Sequence, residues 1–242
     1  MSIKTEQVTF PANGGSAQGY LAVPEDAGPH RAVIVIQEWW GLDEHIKHVA
    51  RRFAAEGYVA LAPDLYHGAV AEEPDEARKL AMALQFPQAA REMAGAAAYL
   101  VGRADVAPKQ VGAIGFCLGG SLALLLAATS PHVGAVASFY GGRELPETQL
   151  RAISAPVLAI FGEEDASIPP ERHAALDRIF TGTGVPHAIY VYPGAPHAFF
   201  NDTRPQVHRP LAAQDAWVRT LAWFEKYLQI PAAGAGVGQA RP

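Results

Sequence analysis

One cysteine occupies the centre of Gly115-Phe116-Cys117-Leu118-Gly119-Gly120, and it is the only cysteine in the chain. The apolar run 111–114 precedes this segment, and Ser121-Leu122-Ala123-Leu124-Leu125-Leu126 follows it. The order is therefore strand, tight glycine turn, helix. That is the pattern of a nucleophile elbow, G-x-S-x-G, with a thiol in place of the hydroxyl. Glycine at 115 and 119 lets strand and helix approach closely while the apical residue takes a strained conformation. The unpaired N–H groups and positive dipole end of the helix favour a thiolate and stabilise an oxyanion. A buried, inert thiol is the competing reading of a free cysteine, and the glycine spacing favours the nucleophile.

A nucleophilic thiol needs a base and an orienting acid. In elbow-type triads these follow in the chain order nucleophile, acid, base, with the base on the loop after the last strand. Of nine histidines, His197 fits, in Tyr192-Pro193-Gly194-Ala195-Pro196-His197-Ala198-Phe199. His187 precedes that strand and His208 approaches the last helix, so both fit worse. Asp165, in Phe161-Gly162-Glu163-Glu164-Asp165-Ala166-Ser167-Ile168-Pro169, is the expected acid, with Glu163 and Glu164 as close competitors. Its task would be to accept the imidazole N–H and fix the tautomer. Glu38 is the anomaly: a carboxyl directly after the apolar run 32–36, in the loop that normally supplies an oxyanion N–H. Beside a thiol it would hold the sulfur protonated, because like charges close together resist coexisting.

The elements that must position these groups are legible as alternating apolar runs. Strands are expected over 5–10 and 19–23, hairpinned at Asn13-Gly14-Gly15, then over 32–37, 58–62, 111–115, 133–140, 156–161 and 188–192. Asp43 is placed to cap a helix reaching about Glu56, ended by Gly57. The stretch 72–100 reads as two helices interrupted at Pro87. Further helices are expected over 170–180 and 210–228. Such alternation predicts an α/β fold: a mostly parallel, twisted sheet with helices on both faces and an N-terminal antiparallel hairpin. Residues 1–230 are expected to form one domain, and 231–242 a flexible, small-residue tail.

Half of the 242 residues are apolar and the net charge is −5 without a basic run, so nucleic acid and anionic membrane are not expected partners. No stretch approaches the roughly 20 apolar residues of a membrane span. The absence of an apolar signal region and the single cysteine point to the cytoplasm. The oligomeric expectation is a monomer or weak homodimer. His45 and His48 stand at helical spacing but lack a third metal ligand, so a solvated helix face is expected and no metal or cofactor is implied. His67 is a candidate pocket residue, with a structural role equally open.

Taken together, Gln37-Glu38-x-x-Gly41, Ala62-Pro63-Asp64-Leu65-Tyr66, the elbow and Gly194-Ala195-Pro196-His197-Ala198-Phe199 make the chain resemble the dienelactone hydrolase family of α/β-hydrolases, over nearly its whole length. The resemblance implies a Cys117-His197-Asp165 triad and an oxyanion hole from the N–H groups of Leu118 and Trp39. It also implies that Glu38 pairs with the resting thiol and swings away when substrate binds. The implied activity is hydrolysis of a small activated ester or enol-lactone through a thioester. Substrate contacts are expected from Trp40, Phe199, Arg78, Asn201 and Arg204. Asn201 departs from the family, which places a carboxylate-binding arginine in a His-x-Phe-x-Arg pattern; Arg204 is the candidate to compensate. A broad carboxylesterase or thioesterase, a thiol-based redox sensor and an inactive small-molecule binder are the alternatives.

Overall fold

A computed structural model of the chain describes residues 1–231. The N-terminal hairpin is longer than expected: β1 (Ile3–Ala12) pairs in full with β2 (Gly15–Pro24). Asn13 and Gly14 turn between them with φ of 53° and 75°, the paired left-handed conformations that a two-residue hairpin requires. β3 (Arg31–Ile36), β4 (Tyr58–Pro63), β5 (Val111–Phe116), β6 (Val133–Phe139), β7 (Val157–Gly162) and β8 (His187–Tyr192) complete an eight-stranded sheet. Its order is β1-β2-β4-β3-β5-β6-β7-β8, antiparallel at the β1, β2 and β4 pairings and parallel thereafter. β3, β4, β5 and β7 are almost wholly buried, which explains why they read as continuous apolar runs rather than alternating ones.

Helices cover both faces. α1 (Glu44–Ala55) and α7 (Pro210–Tyr227) share one, where Phe53 meets Trp217 at 4.5 Å and Phe224 at 6.1 Å between ring centroids. Asp43 caps α1 as expected, accepting a hydrogen bond from the Ile46 N–H at 3.0 Å. α3 (Phe86–Gly102), α4 (Leu118–Thr129) and α5 (Glu147–Arg151) pack in succession, and α6 (Pro170–Thr183) follows against α5 and β8. The break expected at Pro87 falls earlier. α2 (Pro74–Ala83) ends in extended backbone at Leu84, and Pro87 lies in the first turn of α3. Proline opens this helix because an N–H missing from the first turn leaves no intrahelical bond unmade. Of the expected tail, 232–242 lies outside the described residues. No helix among the described residues is long and apolar enough to cross a membrane.

Candidate active site

The carboxyl ends of β3, β5, β7 and β8 reach the same edge of the sheet, with Ile36 in register with Gly115 and Gly162 with Tyr192. Loops leaving that edge carry Glu38, Cys117, Asp165 and His197. Parallel strands place ligand sites at this edge, beyond their carboxyl ends.

Cys117 sits at the apex of the turn between β5 and α4 with φ 55° and ψ −117°. That is strained for any residue with a side chain. The glycines around it allow the turn to close. A Cβ on Gly115 would stand 1.9 Å from the Gly119 carbonyl oxygen, and one on Gly119 would stand 2.4 Å from that of Gln37. The Cys117 N–H bonds the Phe139 carbonyl at 3.0 Å, which ties the apex to β6. Leu118 is the first residue of α4, so its N–H has no acceptor within the helix. The Trp39 N–H makes no hydrogen bond among the described residues.

Asp165 Oδ2 lies 2.5 Å from His197 Nδ1. Its other oxygen accepts from the Ser167 N–H at 3.0 Å and the Ser167 hydroxyl at 2.5 Å. The two loops are clamped together by Glu163 N–H to the Tyr192 carbonyl and Glu164 N–H to the Ala195 carbonyl. Burial works to raise the Asp165 carboxyl, but the bonds from His197 and Ser167 outweigh it and hold the group below its usual range. Burial alone would lower His197. The bond to Asp165 and the proximity of Cys117 overcome this and raise it to about 10. The sequence alternatives separate cleanly: Glu163 accepts from the Gly194 N–H at 3.1 Å, and Glu164 is exposed. Beneath the imidazole lies the fully buried Tyr140 ring, 5.0 Å away between centroids.

Cys117 and His197 open onto a cavity of about 430 Å³, lined also by Glu38, Trp39, Trp40, Ser167, Ala198, Arg204 and Val207. The Arg204 guanidinium lies 4.1 Å over the Trp40 ring. A larger cavity, about 510 Å³, opens around Phe86 and Arg143 and contains none of these residues.

A sequence model of the dienelactone hydrolase family matches residues 17–228. The chain belongs to the dienelactone hydrolase family. It is 37% identical over 246 residues to a "putative carboxymethylenebutenolidase" of Synechocystis, covering 95% of this chain and 99% of the relative. Similarity to "Protein usf" of Aquifex pyrophilus is 36% over 230 residues, covering 92% and 99%. Among solved structures, a "putative dienelactone hydrolase" of Klebsiella pneumoniae superposes with a TM-score of 0.85 at 32% identity, covering 94% of this chain and all of that one. Membership makes the chain an α/β-hydrolase that acts on ester or lactone bonds.

Within this dienelactone hydrolase relative, several expected contacts fall elsewhere. Glu38 is buried but does not bond the thiol; its Oε2 accepts from Asn201 Nδ2 at 2.8 Å. Burial pushes its carboxyl up to about 7 against the lowering effect of that bond. Asn201 is therefore a buried partner of Glu38 and does not line the cavity. Phe199 is fully buried behind the site, packed on Tyr140 and Tyr192 at 5.7 and 5.3 Å. Arg78 stands exposed on α2 beside Asp75, outside the cavity. His67 faces another cavity, where its Nε2 meets Glu92 at 3.1 Å. His45 is not on a solvated face: it is buried between Phe116 and Phe200, with Asp202 3.4 Å from Nδ1. Burial lowers it to about 4. No group of three potential metal ligands occurs among the described residues.

Two residues escaped the sequence reading. Ser167 carried a signal, since a serine two places after an aspartate is suited to bond back to its carboxylate. Tyr140 carried none; only the fold brings it beneath His197.

Proposed function

We propose that the protein hydrolyses small activated esters or enol-lactones through a thioester on Cys117, with His197 as base and Asp165 as its orienting acid. The observation that carries this reading is the bonded line from Ser167 through Asp165 to His197, whose imidazole lines the same mostly apolar cavity as Cys117. Cys117 gives its proton to His197, and the imidazolium, held by Asp165, stays beside the resulting thiolate. Cys117 attacks the carbonyl carbon and the oxyanion forms between the Leu118 and Trp39 N–H groups, each donor worth about 3 kcal/mol. The leaving oxygen departs and takes a proton from the imidazolium. Acylation removes the sulfur's negative charge, and with it part of what raised His197. The imidazole then serves as base for the water that cleaves the thioester.

Sulfur chemistry restricts the substrate. A thiolate leaves readily, so a tetrahedral intermediate carrying a poor alkoxide collapses back to substrate. Productive turnover requires an enolate, a phenolate or a similarly stable leaving group. The Trp39–Trp40 wall suits a flat apolar acyl group, and Arg204 supplies a cation for a carboxylate on it.

The test is intact mass spectrometry during turnover of an aryl ester and an enol-lactone. An acyl adduct confined to Cys117, absent in Cys117→Ala, is expected. A Cys117→Ala variant at the wild-type rate, or comparable turnover of an ethyl ester and an enol-lactone, would overturn the reading.

A further inference from the structure

A buried carboxyl left without a hydrogen-bond partner is costly, so it takes whatever donor is within reach. Three donors stand near Glu38. One is the thiol of Cys117, which opens onto the same cavity. Another is the buried hydroxyl of Tyr140, left without a hydrogen-bond partner. The third is the side-chain amide of Asn201, which Glu38 uses through Oε2 at 2.8 Å, while its Oε1 has no partner. Asn201 is itself fixed. Its Oδ1 accepts from the Thr203 N–H at 3.0 Å and the Thr203 hydroxyl at 2.7 Å, and its own N–H bonds the Ala198 carbonyl at 3.0 Å. Both Glu38 and Asn201 are 1% exposed. No hydrogen bond joins Glu38 to Cys117 among the described residues.

The chemistry of the two partners differs. A carboxyl bonded to the thiol would favour S–H over S⁻, because a second negative charge beside it is disfavoured. An amide donor holds the carboxyl in place by one oxygen and adds no charge of its own. The loop after β8 therefore holds both the His197 imidazole, which lines the same cavity as the sulfur, and the amide that restrains Glu38.

We propose that Asn201 is a positioning residue that latches Glu38 off Cys117, so that the thiol is paired with His197 before any substrate binds. The family pattern implies a carboxyl that leaves the thiol on substrate arrival; here the latch replaces that dependence. The proposal deepens the assignment of Cys117 as nucleophile and rests on it.

The test is a cycle of alkylation rates with iodoacetamide at neutral pH and without substrate, followed by intact mass. Wild type, Asn201→Ala, Glu38→Ala and the double variant are compared. Removing the latch frees Glu38 to reach the thiol, so Asn201→Ala should react at least tenfold more slowly than wild type. Glu38→Ala should stay within about twofold of wild type, and the double variant should return to that rate. Asn201→Leu, which keeps the volume and removes the donor, should match Asn201→Ala and covers the case in which alanine unfolds the loop. An unchanged or faster rate in both Asn201 variants overturns the latch. So does a double variant as slow as Asn201→Ala, since loop damage rather than Glu38 would then be the cause. An acyl adduct on Cys117 together with an unchanged Asn201 rate leaves the nucleophile standing and removes only the latch. Absence of the adduct removes the nucleophile whatever the cycle gives.

Discussion

Asp165 divides its two oxygens between the imidazole and Ser167. The backbone N–H of Ser167 would survive substitution, so Ser167→Ala removes only the hydroxyl bond. One hydrogen bond to a charged group contributes about 1.5–3 kcal/mol, which corresponds to a fall in kcat of roughly tenfold to 150-fold. KM should hold, and Ser167→Thr, which restores the hydroxyl, should recover most of the rate; steady-state kinetics on an aryl ester checks both. Under the proposed mechanism Arg204 acts on binding instead. Its guanidinium lies on Trp40 at the cavity. Arg204→Ala should raise KM about tenfold for an ester whose acyl group carries a carboxylate. A neutral ester of the same shape should change less than twofold. Equal losses on both would assign Arg204 to packing against Trp40 alone.

At the scale of elements, the turn from β5 into α4 is the least forgiving part of the site. Gly119 packs where a Cβ would meet the carbonyl oxygens of Gln37 and Ile36 at 2.4 and 2.5 Å. These are backbone atoms at the end of β3 and the start of the loop after it, so nothing flexible can yield. Gly119→Ala should cost about 4 kcal/mol or more, in the range reserved for broken backbone packing, and should displace the Leu118 N–H as well. Urea denaturation and activity should fall together. This turn was legible in the sequence because its glycines are dictated by local sterics, and so were the buried strands, whose apolar runs need no partner to be recognised. The cap at Asp43 was equally local. The boundary between α2 and α3 was not, because Pro87 is compatible with opening a helix as well as with ending one. α5, at five residues, is too short for a period to show. The bond between Glu38 and Asn201 joins residues 163 positions apart and leaves no trace in either local sequence. Hence Asn201 read as a substrate contact that had lost its arginine, where the fold makes it a partner of Glu38.

The whole molecule sets two buried titrating groups against each other. Glu38 rises from 4.5 to about 7, so the folded state holds its proton more tightly than the unfolded chain does. Stability from this group is present below pH 4.5 and is lost as the pH rises through 7. His45 falls from 6.5 to about 4, because its burial outweighs the pull of Asp202 3.4 Å from Nδ1. Its contribution is present above pH 6.5 and is lost as the pH drops through 4. Asp43, raised by burial, and His173, lowered by burial, oppose each other in the same sense. Each fully linked proton changes stability by about 1.4 kcal/mol per pH unit. Between about pH 5 and 6.5 the slopes of Glu38 and His45 should nearly cancel, giving wild type a flat profile there. Glu38→Gln removes the falling component, so its stability should climb by about 2 kcal/mol across that interval. His45→Gln removes the rising one and should decline by a similar amount. Above pH 7 all three should weaken together, because His197, raised to about 10, loses its contribution as the pH climbs through that value. Urea denaturation at pH 5, 6.5 and 9 reads these slopes directly. A Glu38→Gln profile parallel to wild type between pH 5 and 6.5 would mean that Glu38 keeps its charge in the fold, and that the Asn201 amide compensates for its burial in full.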